Sequence, residues 1–183
     1  NGNRTRLMTP SDNENDSIAQ ITDRLAISEV LHSHCRGLDR SDSALLQSCY
    51  WPGAEVDYGS YKGPAAAFAD LVVQALAGGY ELTRHCIGNI LVAFEGNQAR
   101  VESYVNAAHL LPGGTQEMCF GGRYLDHLEK RDGQWRMLHR RVVMDWSRTT
   151  SIEDERESEA FAALAKGSNG ASDPLHTFLG ETS

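Results

Sequence analysis

The sequence predicts an α+β protein, and two observations carry this prediction. Patterns typical of helices are gathered before residue 80, whereas alternating patterns typical of strands are gathered after it. Turn signals, EGN at 95–97 and RDG at 131–133, separate the alternating stretches as antiparallel hairpins require. Strands and helices that alternated along the chain would instead have predicted a parallel sheet.

The chain opens with a polar segment and then a long helix. Residues 1–16 are mostly polar and are expected to be disordered. Ser17, with Gln20 three residues later, forms a capping-box pattern at the start of the first helix. Gly37 is the expected end of that helix.

Two further helices and a strand precede the sheet. The stretch 43–50 predicts a short helix behind a Ser41 or Asp42 cap, and 54–61 alternates like a strand. A third helix is predicted within 62–79, with Pro64 in its first turn. Four long strands are then predicted at 81–95, 98–111, 117–131 and 134–146.

The last part of the chain is predicted to lie outside the main domain. We expect that domain to span 17–148, and 149–183 to form a C-terminal helix and tail. The helix is predicted at 152–166, where apolar residues gather in the second half. Because this segment follows the last strand directly, it is a candidate lid over a pocket.

Composition excludes several classes of partner. The 183 residues carry a formal net charge of −8, and no Lys/Arg cluster exceeds HRRV at 139–142. Binding to nucleic acid or to an anionic membrane surface is therefore not expected. The most apolar window, 65–77, contains an Asp and is too short to span a bilayer.

Cysteine usage favours a reduced compartment. Cys35, Cys49, Cys86 and Cys119 are scattered, without a C-x-x-C motif. A chain of this length does not need disulfides, and its N-terminal residues show no apolar leader. We therefore predict a cytoplasmic protein.

No metal or cofactor is expected. His32 and His34 are two positions apart on a helix and point in different directions, and H-E-x-x-H is absent. The glycine pairs lie in hairpins and not between a strand and a helix, and G-x-S-x-G is also absent. Any chemistry is therefore expected to be proton transfer by side chains alone.

His85 is the residue on which a functional prediction depends. On its strand it shares a face with Ile87, Leu91 and Ala93, interrupted by Asn89. An imidazole in this setting is a core residue, a metal ligand or a general base. Asp39, 46 positions earlier, is either a helix cap or a carboxylate that orients His85, and spacing alone does not decide between the two.

An ordered set of motifs supports the second alternative. The set is RGLDRSD at 36–42, VDYGSYKG at 56–63, TRHCIGN at 83–89, GGRYLDHLEKRDGQWRM at 121–137 and RRVVMDW at 140–146. It resembles the SnoaL-like branch of the nuclear transport factor 2 superfamily, which includes scytalone dehydratase, hexachlorocyclohexane dehydrochlorinase, steroid isomerases and polyketide cyclases. The resemblance implies a cone-shaped barrel, in which a strongly curved antiparallel sheet is wrapped by N-terminal helices around an interior pocket.

The resemblance also implies residue roles. Asp39 and His85 stand where the dehydratase and the dehydrochlorinase pair an Asp with a His. Tyr58 matches a tyrosine that binds a water against the substrate carbonyl, and His109 falls near a second active-site histidine. Leu38 and Gly122 depart from the pattern, replacing a second water-binding tyrosine and a substrate-contacting serine, which puts scytalone itself in doubt as the substrate.

Other side chains are candidates for substrate contact or for packing. Pattern alone does not separate pocket wall from core for four aromatic residues, Tyr50, Trp51, Phe120 and Tyr124. Arg141 shares a strand face with Trp135 and Met137, so it offers either an inward positive charge or a salt bridge at a surface or interface.

The sequence therefore predicts a cofactor-free lyase or isomerase. Its substrate is expected to be small, largely apolar and cyclic, such as a ketone, steroid or polyketide. The alternative is a non-catalytic binding or scaffold module, comparable to a dioxygenase small subunit. A homodimer or homotrimer is expected, because a long sheet with apolar residues on both faces needs more cover than three helices give.

Overall fold

The computed structural model describes residues 18–180, so the expected disorder of 1–16 and the capping role of Ser17 lie outside the described residues. The helices are α1 (Ile18–Asp39), α2 (Ser43–Ser48), α3 (Ala65–Gly79) and the short α4 (Pro174–Phe178). The strands are β1 (Tyr50–Asp57), β2 (Lys62–Pro64), β3 (Leu82–Glu95), β4 (Gln98–Leu110), β5 (Gln116–Arg131) and β6 (Gln134–Ser151). The fold is α+β, with helices first and a long meander after them.

Helix α1 runs two residues beyond its expected end at Gly37. A Cβ added to Gly37 would approach Leu46 Cγ to 2.8 Å, so this glycine permits close packing of α2 instead of ending the helix. Asp42 then caps α2 by accepting a hydrogen bond from the Leu45 N–H at 2.8 Å. The extension places Asp39 in the last turn of α1. No helix among the described residues is long and apolar enough to cross a membrane.

The strands form one curved sheet in the order β2-β1-β6-β5-β4-β3. Strands β3 to β6 are an antiparallel meander, but β1 runs parallel to β6, with Val56 opposite Arg140. The prediction of a purely antiparallel sheet is therefore wrong at one junction. Parallel pairing is possible there because most of the chain, including α3, lies between β1 and β6 and supplies the long crossover.

The prediction of a barrel is also wrong, since the sheet is curved but open. Strand β2 has only three residues and forms one edge, while β3 forms the other. Helix α1 contacts β3 and β6 and covers the concave side between them. The main core lies between this face of the sheet and helices α1 and α3. Its largest members are Ile27, Leu31, Tyr50, Phe68, Leu128, Trp135 and Met137.

A β-bulge in β6 changes which arginine points inward. Leu128 pairs with Met137 but His127 pairs with His139, so β6 contains one extra residue at this point. Side-chain alternation reverses beyond the bulge, and Arg140 is fully buried. Of the two alternatives for Arg141, the salt bridge forms: its side chain is 60% exposed and makes an ion pair with Asp57 at 3.3 Å. The alternative of an inward charge for substrate contact is wrong.

A second bulge corrects the surroundings expected for His85. Ile87 pairs with Val105 and Ile90 pairs with Ser103, so two residues of β3 face one of β4. Ile87 keeps its inward position, and Ile90 packs against the core. Leu91, expected beside His85, instead lies on the outer face of the sheet and is 37% exposed.

The helix predicted at 152–166 does not form. Strand β6 continues to Ser151, and a single 3₁₀ turn at Glu159–Phe161 is the regular structure in the predicted range. Leu164 is 63% exposed and Phe161 is 42% exposed, so the apolar residues of this segment find no surface to cover. Short helices gain most of their stability from packing an apolar face, and that face is missing here.

We expect the chain to self-associate through the outer face of the sheet. Leu91, Tyr104, Leu125 and Trp146 are each at least 37% exposed on strands β3 to β6. The Trp146 indole lies close to Gly121, where an added Cβ would approach it to 2.7 Å. Exposed apolar side chains on a sheet face gain stability when a second copy covers them.

Sedimentation at micromolar concentration should therefore give a dimer or trimer, and Leu125→Lys should shift it toward the monomer. Leu164→Lys, on the exposed C-terminal segment, is the matched control and should leave the mass unchanged. A monomeric parent chain would contradict the expectation.

Candidate active site

Asp39 and His85 meet where the end of α1 approaches the start of the edge strand β3. His85 Nδ1 lies 2.7 Å from Asp39 Oδ1. The same carboxylate accepts hydrogen bonds from the His85 backbone N–H and from Thr83 Oγ1, each at 2.9 Å. Three donors on one carboxylate fix its orientation. Because a carboxylate only accepts, the imidazole proton is assigned to Nδ1, which leaves Nε2 as the basic nitrogen.

His109 lies beside this pair on the neighbouring strand. Its ring centroid is 5.4 Å from that of His85, edge to face, and 4.5 Å from that of Tyr80. The Nδ1 atom is buried and has no hydrogen-bond partner within residues 18–180. Burial, and then the charge of His85, lowers the pKa of His109 to about 4. His109 is therefore neutral at pH 7 and has a nitrogen available for a ligand.

A buried polar network forms the second part of the site. Arg140 and Asp126 have fully buried side chains joined by two hydrogen bonds of 2.7 Å. Arg140 Nη1 donates to His34 Nδ1 at 2.9 Å, and His34 Nε2 lies 3.0 Å from Tyr50 Oη. A guanidinium cannot accept, so the His34 proton is assigned to Nε2, which donates to Tyr50. Burial and Arg140 keep the pKa of His34 well below its usual range.

Two tyrosines complete this network. The Tyr124 ring lies 4.0 Å from the Arg140 guanidinium carbon. The Tyr58 ring stacks on Phe68 with centroids 4.0 Å apart. Tyr58 Oη is buried without a hydrogen-bond partner in the described part of the chain. Burial raises the pKa of Tyr58 to about 12 although Arg140 opposes the shift, so the hydroxyl keeps its proton and can donate it to a ligand.

The two parts of the site share an apolar wall. Cys35, Val105 and Tyr124 form one buried cluster, with Ile87 and Phe120 packed against it. The charge of His85 also contributes to the lowered pKa of His34, so the two parts are coupled electrostatically.

The structure shows what surrounds Gly122 and Leu38, the two residues that depart from the motifs of the resembled enzymes. An added Cβ at Gly122 would lie 2.3 Å from Val143 O and 2.7 Å from the Phe120 ring, so a side chain here requires the sheet to move. Leu38, in place of a tyrosine, is buried against α2 and α3.

Trp51 lies apart from these groups, beside the turn between β5 and β6. Its indole N–H donates to the Glu129 carbonyl at 2.8 Å. The guanidinium groups of Arg131 and Arg136 each lie 4.8 Å from its ring. These contacts are those of a packing residue at the hairpin.

Sequence analysis missed His34, Asp126 and Arg140. His34 lies on the apolar stripe of the predicted first helix, so the pattern does not separate it from a core residue. Simple alternation along β6 turns Arg140 away from Trp135 and Met137, because the bulge in β6 has no clear signal in the sequence. A usable signal existed for Asp126, which lies on the apolar face of β5 between Tyr124 and Leu128. Among residues 18–180 no group of three or more His, Cys, Asp or Glu side chains is arranged to hold a metal ion.

Comparisons with known proteins agree on one family. The SnoaL-like domain family matches residues 19–141. Hexachlorocyclohexane dehydrochlorinase 1 of Sphingobium indicum is 28% identical over 122 residues, which cover 64% of this chain and 79% of that protein.

Two solved structures illustrate the shared fold. A type 2 hexachlorocyclohexane dehydrochlorinase has a TM-score of 0.64 at 25% identity, covering 75% of this chain and 94% of that one. A provisionally named scytalone dehydratase of Novosphingobium aromaticivorans has a TM-score of 0.65 at 20% identity, covering 84% of this chain and 96% of that one.

Asp126→Asn should destabilise the fold strongly. The substitution keeps the shape but leaves Arg140 charged, buried and without its counter-charge, at a cost of about 3–5 kcal/mol. The free energy of unfolding from urea titration measures this cost. Asp145→Asn removes a partly exposed partner of Arg123 and should have a much smaller effect on the free energy of unfolding. An equal loss in the free energy of unfolding from the two substitutions would contradict a special role of the buried Arg140–Asp126 pair in stability.

Stability should fall as pH is lowered from 6.5 to 4. An unfolded histidine takes up a proton near pH 6.5, whereas folded His109 does so only near pH 4, so the unfolded chain binds more protons in this window. His109 alone accounts for up to about 3 kcal/mol at pH 4. Urea unfolding between pH 4 and 7 should therefore show a shallower slope in His109→Gln. His34 acts in the same direction and keeps part of the slope; an unchanged slope would contradict the assignment.

Proposed function

We propose that this chain, which belongs to the SnoaL-like domain family, is a cofactor-free lyase or isomerase of the dehydratase type. Asp39 and His85 abstract a proton from carbon in a small, largely apolar cyclic substrate such as a ketone, steroid or polyketide. The observation that carries the proposal is the 2.7 Å contact between His85 Nδ1 and Asp39 Oδ1, which leaves Nε2 as a base.

In the first step His85 Nε2 takes a proton from a carbon beside a carbonyl or beside a leaving group. The ring becomes an imidazolium, and the Asp39 carboxylate stabilises its charge. Asp39 is held by Thr83 Oγ1 and the His85 backbone N–H, so little reorganisation accompanies the step.

Tyr58 supports the charge that develops on the substrate oxygen. Its hydroxyl is protonated at neutral pH because burial raises the pKa of Tyr58 to about 12. Since Oη has no partner among the described residues, its proton is available to the substrate directly or through a water. The positive charge of Arg140 favours negative charge at this end of the site.

The atom to which the His85 imidazolium next delivers its proton determines the product. In a dehydration the leaving hydroxide receives a proton from the imidazolium and departs as water, and a carbon–carbon double bond forms. In an isomerisation the imidazolium returns the proton to a different carbon. Both outcomes restore neutral His85 without a redox step, so no cofactor enters the balance.

The surroundings of the dyad favour an apolar substrate. Cys35, Ile87, Val105 and Phe120 supply aliphatic, thiol and aromatic surface. The dehydrochlorinase and dehydratase names of the similar proteins denote eliminations, one of the two reaction classes proposed here.

The proposal is tested by hydrogen exchange at carbon, because the first step does not depend on the leaving group. A panel of cyclic ketones in D₂O, followed by NMR, should show enzyme-dependent deuterium uptake beside the carbonyl. His85→Gln removes the base at similar volume and should lower the rate by about 10²–10⁴-fold. Asp39→Asn favours the wrong tautomer and should give a loss of similar order.

His139→Gln is the matched control, because His139 lies on the outer face of the sheet opposite His127 and should keep full activity. Full activity in folded His85→Gln would contradict the base assignment. A chain that shows no exchange and co-purifies with a larger polypeptide would support the scaffold alternative.

A further inference from the structure

A crevice of about 290 Å³ between α1 and β3 leads to the dyad. Asp39 and His85 line it together with neighbouring residues of both elements and one residue of α4. The lining residues are His32, Cys35, Arg36, Asp39, Arg40, His85, Ile87 and Leu175. The C-terminal segment thus contributes one apolar wall to a crevice otherwise built by the α1 region and the edge strand.

Asp173 fastens this wall to the end of α1. It is 6% exposed, and its carboxylate lies 3.5 Å from Arg40 Nε. The same carboxylate accepts the backbone N–H of Ser168 at 2.9 Å and that of Leu175 at 3.0 Å, so it also organises the turn before α4. Arg40 in turn donates to the Asp39 carbonyl at 2.9 Å, so the attachment point adjoins the proposed catalytic carboxylate.

The rest of the segment is attached mainly by polar contacts. Glu81 accepts Arg156 Nη2 at 2.7 Å with its carboxylate and Asn169 Nδ2 at 3.0 Å with its carbonyl. Phe178 is 85% exposed and Leu179 is 44% exposed, so little apolar surface is buried by α4. Segments held by a few half-exposed polar contacts open at a much lower free energy than the whole fold.

We propose that residues 167–178 form a gate over the dyad, with the Arg40–Asp173 ion pair as its latch and Leu175 as the wall that contacts the apolar part of the substrate. This inference rests on the proposed function, because it takes the crevice as the route by which an apolar cyclic molecule reaches His85. It extends that function by assigning access and size selection to a part of the chain outside the sheet.

The chain contains two buried thiols that report opening without any substrate. Cys35 is 5% exposed and lines the crevice, whereas Cys49 is 3% exposed in the main core. Gate opening exposes Cys35 alone, while global unfolding exposes both. Modification by N-ethylmaleimide under native conditions, followed by peptide mass spectrometry, gives the two rates in one sample.

Asp173→Asn tests the latch. Asparagine caps a helix as well as aspartate does, so the substitution can keep the N-cap bond to the Leu175 N–H. It removes the charge opposite Arg40 and the second acceptor oxygen, which receives the Ser168 N–H, and both losses loosen the attachment. The ratio of the Cys35 rate to the Cys49 rate should rise about tenfold. Asp145→Asn removes a carboxylate from an ion pair on the outer face and should leave the ratio unchanged.

Leu175→Ala tests the wall. It should raise the same ratio and, in the ketone exchange assay, increase kcat/KM for bulkier substrates relative to smaller ones. An unchanged ratio in both variants, or an equal rise at Cys35 and Cys49, would overturn the gate. The labelling result is obtained without turnover, so a chain that lacks the proposed activity still decides whether the gate exists.

Discussion

The buried ion pair between Arg140 and Asp126 is the contact on which the interior of this protein depends. Two charges leave water completely, and such a pair is tolerated only when its geometry is complete. Three features bring the partners of Arg140 together. The register of β5 and β6 places Asp126 opposite Arg140, and the bulge in β6 turns Arg140 inward. The position of α1 brings His34 to the guanidinium. The pair therefore links the sheet to the first helix through a polar contact, in addition to the apolar core around it.

That contact also fixes the protonation pattern around it. Arg140 can only donate, so His34 must accept on Nδ1 and donate from Nε2 to Tyr50. On the other side of the apolar cluster, Asp39 can only accept, so His85 must donate from Nδ1. His34 and His85 thus hold opposite tautomers, each imposed by one charged neighbour that can only donate or only accept.

Much of the fold was accessible from the sequence, because hydrophobic periodicity reports the choice between helix and strand directly. The three N-terminal helices and four long strands were predicted, and Asp39 and His85 were identified before any contact between them was known. The resemblance to family motifs, and not their spacing, brought that pair together. Tyr58 and His109 entered in the same way.

The wrong predictions share one physical cause: they depend on features that the alternation of apolar and polar residues along a strand does not reveal. A bulge adds one residue to a strand, so every side chain beyond it points to the face opposite to the one that alternation predicts. Arg140 therefore points inward and Arg141 outward, and Leu91 lies on the outer face. The parallel β1–β6 pairing joins distant segments and leaves no local pattern. The helix expected at 152–166 failed because its apolar residues had no partner surface, which only the complete fold reveals.

Asp39 has a structural consequence apart from its proposed role in proton transfer, because β3 lies at an open edge of the sheet. An edge strand presents unpaired backbone donors that invite strand addition from another chain. Asp39 Oδ2 occupies one of these donors, the His85 N–H, and places a negative charge beside it. The Asp39 carboxylate therefore disfavours the pairing of β3 with an edge strand of another molecule. Selection to remain dispersed at high concentration could thus retain an acidic residue at this position even in a relative that has no need for a base.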